Sequence, residues 1–111
     1  MKKSNSSNAL NKEFLHRSCS VNEAIDLISG RWKALIIIYI HEGQNRFSLL
    51  KNILSPISDQ ILGRQLKDLE QNGLISKTIV PEVPVRVDYE LTAKGKSLLS
   101  IFDSLEEWIA S

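Results

Sequence analysis

The pattern of apolar residues changes along this chain, and the change restricts its fold more than any other feature. Over residues 85–91 apolar and polar residues alternate, which is the period of a half-buried β-strand. Residues 75–80 are the candidate partner strand, and the two prolines of the intervening segment 81–84 suit a turn. On both sides of this hairpin the apolar residues recur at helical spacing. The 111 residues therefore predict one mainly α-helical domain with a small β-hairpin.

Capping residues and helix stops divide the rest of the chain into helices. Ser20 and Glu23 match a capping box at the start of a first helix, which ends before Gly30. The apolar run 35–40 suits a buried helix or a buried strand, and the segment's length and the glycine after it favour the helix. The predicted helices after the first are 31–42, 48–54 with Ser48 as cap, 58–72 with Ser58 as cap, and one that begins at Thr92.

The N-terminal segment differs in composition from the remainder. Residues 1–12 are rich in serine, asparagine and lysine, so we predict a mobile tail over 1–18 and a folded domain over 19–111. The longest apolar run, 34–40, is far below the roughly 18 residues that suggest a membrane-spanning helix. We expect a cytoplasmic protein with no membrane partner.

The two helices on either side of residues 55–57 form a predicted helix-turn-helix, and the hairpin that follows would be a wing. At 100° per residue Leu62, Leu66 and Leu69 share one stripe of the second helix. The opposite side carries Gln60, Gly63, Arg64 and Lys67. Arginine pairs with guanine, glutamine with adenine, and lysine with guanine or phosphate, while glycine lets the backbone approach closely. The alternative is a solvated polar face.

Two further residues join this predicted DNA-binding set. Ser58 stands at the start of the second helix, and Arg86 lies beside the tip of the wing. Arg86 would reach phosphate or the minor groove, or it would pair with Glu82 or Asp88 instead.

Four stretches carry a family resemblance. They are Cys19, the GRWK segment at 30–33, the RFSLL segment at 46–50, and the PVRVDYELTAKG segment at 84–95. Together they resemble the HxlR-type winged helix-turn-helix transcriptional regulators, which are relatives of the MarR group. The resemblance covers residues 19–111. It implies a homodimeric DNA-binding regulator of transcription whose first and last helices pack across the dimer.

The last helix independently predicts a dimer. Its apolar stripe is broad for a peripheral helix of so small a domain, and homodimers cover such stripes. The residues that we expect at the interface are Phe102, Leu105, Trp108 and Ile109.

Cys19 has two interpretations. It is either a small buried apolar residue or a thiol sensor, and a position just before the Ser20 cap would place it at a helix N-terminus, where the helix dipole favours thiolate. The resemblance implies the sensor, because some members of the family sense oxidants or electrophiles with a cysteine at this place. A redox or small-molecule signal is therefore among the expected partners.

The sequence contains no recognisable catalytic motif, so we predict that the protein is not an enzyme. His16 and Cys19 have the spacing of two metal ligands, but a structural zinc site needs four and no second pair is present. No metal or other cofactor is expected.

The remaining alternative to double-stranded DNA as a partner is a winged helix used only for protein–protein contact, which would need exposed apolar anchors on residues 60–67.

Overall fold

A computed structural model describes the backbone of residues 5–111 and the side chains of residues 12–111. Helices and strands follow the predicted order, and the mainly α-helical fold with a β-hairpin is confirmed. The elements are α1 (Asn5–Ile28), α2 (Lys33–His41), α3 (Phe47–Ile53), α4 (Asp59–Gln71), β1 (Ile75–Val80), β2 (Arg86–Leu91) and α5 (Ala93–Ala110). The strands pair antiparallel, with Ile75 opposite Leu91 at the base and Val80 opposite Arg86 near the tip.

The core is built around α2, which is the central buried helix that the sequence favoured over a strand. Ile36 and Ile37 are fully buried, and α2 contacts α3, α4, α5 and β2. Burying an isoleucine or leucine side chain contributes about 1.5–3 kcal/mol. The other buried apolar residues are Ile40, Leu50, Leu54, Ile57, Leu62, Leu66, Leu69, Leu74, Ile75 and Leu91.

The start of the first helix differs from the prediction. Residues 5–18, predicted as a tail, are helical, and residues 1–4 lie outside the described part of the chain. The capping box at Ser20 and Glu23 is wrong, since both residues lie inside α1. No glycine or proline interrupts the segment, and once a helix has formed each added residue gains a hydrogen bond. Serine and asparagine composition therefore did not mark the helix boundary.

Two of the three remaining predicted caps are confirmed. The Ser58 Oγ accepts a hydrogen bond from the Ile61 amide at 3.1 Å, and the Thr92 Oγ1 accepts one from the Gly95 amide at 3.0 Å. The Ser48 cap is wrong, because α3 begins at Phe47 and Arg46 occupies the cap position without a side-chain hydrogen bond.

Within residues 5–111, no helix combines the length and the apolar character that crossing a lipid bilayer requires.

Candidate nucleic-acid interface

Helices α3 and α4 with the turn between them form the helix-turn-helix. Leu62, Leu66 and Leu69 anchor α4 in the core, each at most 2% exposed. The first turn of α4 is tied to α3 by an ion pair between the Lys51 ammonium and the Asp59 carboxylate. The inner face of α4 is thus fixed by packing, which leaves its outer face at the surface.

The outer face of α4 carries the residues that the sequence placed there. Gln60, Arg64 and Lys67 are exposed, and Gly63 is half-buried between them. Neither Arg64 nor Lys67 forms an ion pair with any residue of the described chain. A Cβ atom at Gly63 would have no neighbouring atom within 4 Å, so internal packing does not require glycine here.

The C-terminal half of α4 has a different electrostatic character. Asp68 faces the Lys33 ammonium at 3.7 Å, and Glu70 faces that of Lys77 at 4.0 Å. These carboxylates are therefore directed toward cations of the surrounding scaffold. The unneutralised positive charge of α4 is concentrated on the segment 60–67.

A groove separates α4 from the wing and is lined in part by Gly63, Lys67, Lys77 and Tyr89. Tyr89 is half-buried, and its burial raises the pKa of the phenol above the usual value, an effect that the nearby Glu70 carboxylate reinforces. The phenol therefore stays neutral at physiological pH, where it adds a hydrogen-bonding group and no charge to the groove.

The wing is tied to the helix-turn-helix through Asp88. This carboxylate accepts hydrogen bonds from the Arg46 Nε at 3.2 Å and from the Arg86 Nε at 3.1 Å. One backbone hydrogen bond, from the Tyr89 amide to the Asn45 carbonyl at 2.8 Å, runs beside them. These contacts fix the middle of β2 against the segment that leads into α3.

Arg86 has the acidic partners that the sequence offered as its alternative role. Its guanidinium contacts Glu82 at 3.0 Å as well as Asp88. A DNA contact by Arg86, which stays a prediction, would require phosphate to displace or share one of these carboxylates. Sequence reasoning did not find the Arg46–Asp88 contact, since these residues lie 42 positions apart and each belongs to a separate motif.

Replacing Asp88 with asparagine should lower the free energy of unfolding by about 1 kcal/mol, the upper range for a partly exposed ion pair. The Asp88 carboxylate forms ion pairs with two guanidinium groups, whereas that of Glu82 forms one. Glu82→Gln is therefore the matched control, and it should lower the free energy of unfolding by less. Urea denaturation at low and high salt measures both variants. Equal stability of Asp88→Asn and Glu82→Gln would contradict the assignment of Asp88 as the link.

Large apolar side chains lie uncovered at the end of α5. Leu105 is 49% exposed, Trp108 71% and Ile109 74%, whereas Phe102 is half-buried against the protein's own core. A second uncovered set lies on α1, which carries Phe14, Leu15, Val21 and Ile25. The four residues predicted at a dimer interface thus divide into one that also serves the core and three that are free to meet a partner.

Cys19 is an exposed free thiol. It lies well inside α1 rather than at a helix N-terminus, so the expected influence of the helix dipole on its thiol is absent. The interpretation as a buried apolar residue is also wrong for this chain on its own. Nowhere in the described chain do three or more metal-ligating side chains cluster, and the pairing of His16 with Cys19 gains no further ligand.

A helix-turn-helix followed by a two-stranded wing, with unneutralised cations on the outer face of its second helix, defines a winged-helix DNA-binding protein of the transcription-regulator class. The chain belongs to the HxlR-like helix-turn-helix family, whose model matches residues 27–111. The resemblance is thereby confirmed for the three motifs that lie between residues 30 and 95, while Cys19 lies outside the matched residues.

Relatives from archaea and bacteria agree with this assignment. An HTH-type transcriptional regulator of Methanothermobacter thermautotrophicus is 44% identical over 90 residues, which are 81% of this chain and 69% of that protein. The reduced form of the transcriptional regulator YodB from Bacillus subtilis superposes with a TM-score of 0.74 at 36% identity, over 80% of this chain and 87% of that one. The redox regulator HypR in its reduced form gives 0.75 at 31% identity, over 80% and 88%. At the family level these proteins are regulators of transcription and not enzymes.

Proposed function

We propose that the protein is a sequence-specific transcriptional regulator that binds double-stranded DNA as a homodimer in the cytoplasm. In this proposal α4, with its Ser58 cap, enters the major groove, and the wing formed by β1 and β2 lies on the flanking backbone. The single observation that carries the proposal is the outer face of α4, where Arg64 and Lys67 are exposed without acidic partners in the described chain. Free guanidinium and ammonium groups at this position are available to base edges and phosphates.

The homodimer is supported by the uncovered apolar residues of α5 and α1. Trp108 and Ile109 are each more than two-thirds exposed, and monomeric proteins rarely leave a continuous apolar face of this kind in water. In a two-fold dimer the same face of both copies is covered at once. Two copies of α4 would then read half-sites about 10 base pairs apart or a multiple of that distance.

The alternative, a winged helix used only for protein–protein contact, is less well supported by the same face. A protein-binding surface is organised around aromatic or long apolar anchors. On α4 the single large apolar side chain with substantial exposure is Ile61, which is 39% exposed and lies beside the polar set.

Selection of bound duplexes from random double-stranded DNA, followed by titration of the selected duplex, tests the proposal. We expect a pseudo-palindromic sequence, a complex with two protein chains, and an affinity that falls steeply as salt rises. Equal affinity for selected and random DNA would refute sequence-specific binding. No DNA binding at low salt would favour the protein-contact alternative.

Replacing Gly63 with alanine should change stability and DNA affinity in opposite directions. The space at this position is open, so alanine should raise the free energy of unfolding by about 1 kcal/mol through helix propensity. DNA affinity should fall if the backbone of α4 approaches the bases closely. Thermal melts and shift assays on the same preparation measure both quantities, and unchanged affinity would place Gly63 outside the DNA contact.

We propose that Cys19 is the residue that senses a redox signal. The thiol is exposed, and the related regulators YodB and HypR have solved structures of diamide-treated and oxidised forms, respectively. Because the chain contains one cysteine, oxidation by diamide must join two chains or form a mixed disulfide with a small thiol. In the intersubunit case two thiols lose two electrons and two protons to the diamide nitrogen–nitrogen double bond.

Diamide treatment should therefore produce a reducible dimer band on a non-reducing gel and should change the affinity for the selected duplex. Cys19→Ser should show neither effect. If the affinity of the wild-type protein stays the same before and after treatment, Cys19 does not report a redox signal to the DNA-binding face.

A further inference from the structure

The end of α4 and the beginning of α5 meet at a tightly bonded junction, formed by residues 73–75 and 91–95. The Thr92 Oγ1 donates a hydrogen bond to the Gly73 carbonyl at 2.6 Å while it accepts one from the Gly95 amide at 3.0 Å. The Thr92 amide donates to the Leu74 carbonyl at 3.1 Å. One residue thus connects the C-terminal end of the DNA-facing helix to the first turn of α5.

Gly95 allows the first turn of α5 to lie against the backbone of Leu74. It is a buried residue of α5, and a Cβ atom at this position would overlap the Leu74 carbonyl oxygen. Because that oxygen belongs to the backbone, a side chain at position 95 would have to push α5 away from the end of α4. The Ile75–Leu91 strand pair, with both residues buried, begins beside this contact.

We propose that Thr92 and Gly95 are positioning residues that set the distance between the two α4 helices of a dimer, and thereby the half-site spacing that the protein accepts. The inference rests on the proposed function, in which α5 carries the dimer contact at its far end and α4 carries the DNA contact. The junction is the hydrogen-bonded connection between these two helices. Together with the packing of α5 on α2 and β2, its angle decides where each α4 lies relative to the two-fold axis.

A small change in this angle moves the far end of α5 by several ångströms. Helix α5 has 18 residues, which corresponds to a length of about 27 Å. A rotation of roughly 10° at the junction would move the far end of such a helix by about 5 Å, which exceeds the rise of about 3.4 Å per base pair of DNA. Loss of the Thr92 hydroxyl can thus widen the range of accepted half-site spacings by a base pair or more.

The test compares Thr92→Val, which removes both hydroxyl hydrogen bonds, with Thr92→Ser, which keeps the hydroxyl. The duplex is the site selected by the wild-type protein, together with versions in which one or two base pairs are inserted or deleted between half-sites. We expect wild type and Thr92→Ser to prefer one spacing by at least about tenfold, and Thr92→Val to fall below about threefold. Gly95→Ala should also flatten the profile if it folds.

A destabilised control separates positioning from stability. Ile37 is a fully buried residue of α2 that makes none of the junction hydrogen bonds. Ile37→Val should therefore lower the melting temperature and leave the preference for one half-site spacing unchanged. A second measurement needs no DNA: spin labels at Gln71→Cys, in a Cys19→Ser background, should give a narrow distance distribution between protomers that Thr92→Val broadens.

Three possible outcomes separate a failure of the positioning role from a failure of the proposed function. If the wild-type protein binds DNA as a dimer and Thr92→Val keeps both the spacing profile and the narrow distance distribution, the positioning role is refuted and the proposed function stands. If the wild-type dimer accepts all spacings equally, the positioning role also fails. If the wild-type protein neither dimerises nor binds DNA, the proposed function fails and the inference with it.

Discussion

Replacing Leu105 and Trp108 together with glutamate is expected to convert the protein to monomers and to lower its affinity for a two-half-site operator by about 100-fold or more. Both side chains are at least 49% exposed in the single chain, so the substitutions leave the monomer core intact. In a dimer they would bury two charges per chain without partners, which strongly disfavours association. A monomer loses the intramolecular binding of the second half-site.

Sedimentation equilibrium and shift assays measure these two effects. Ser100→Glu is a suitable control, because it adds one negative charge to α5 at a position about 140° from Leu105 and about 80° from Trp108 around the helix. Truncation after Leu99 is a harsher test, since it also removes Phe102 from its contact with the core, and it should yield monomers, aggregates or unfolded protein. A stable dimer of the double variant would exclude this face of α5 from the interface.

Replacing Arg64 with alanine is expected to weaken binding to the selected duplex by about 1–3 kcal/mol, or roughly 5- to 150-fold, and to relax the preference for one base pair. Arg64 is exposed on the outer face of α4 and has no acidic partner in the described chain, so its guanidinium is free to contact a base edge. Titration of duplexes that differ at single positions measures both effects.

Lys67→Ala provides the comparison for a phosphate contact. It should weaken all sequences similarly and reduce the slope of log affinity against log salt by about 1. Lys94→Ala removes the same charge from α5 and serves as the control for net charge alone. If Arg64→Ala, Lys67→Ala and Lys94→Ala behave alike at fixed salt, α4 is not the helix that reads DNA.

Local patterns in the sequence determined much of the fold and the face of α4. The serine and threonine caps at Ser58 and Thr92 act within three residues, so the sequence alone identifies them. The leucine stripe of α4 fixes by periodicity which side is buried, and the positions of Arg64 and Lys67 follow from it. Alternation likewise identified β2 as a strand, although only its base packs on the core, where Leu91 is buried and Tyr89 is half-buried.

Other features were decided only by the tertiary structure, because they depend on residues far apart in the chain. Arg46 and Asp88 meet across 42 positions, and the close approach of Gly95 to Leu74 depends on the path of the whole hairpin. The length of α1 also escaped prediction, since serine caps a helix in one context and continues it in another. The sequence alone determined the order of the helices and strands and the residues on the outer face of α4, whereas long-range contacts determined how α4, the wing and α5 are held relative to one another.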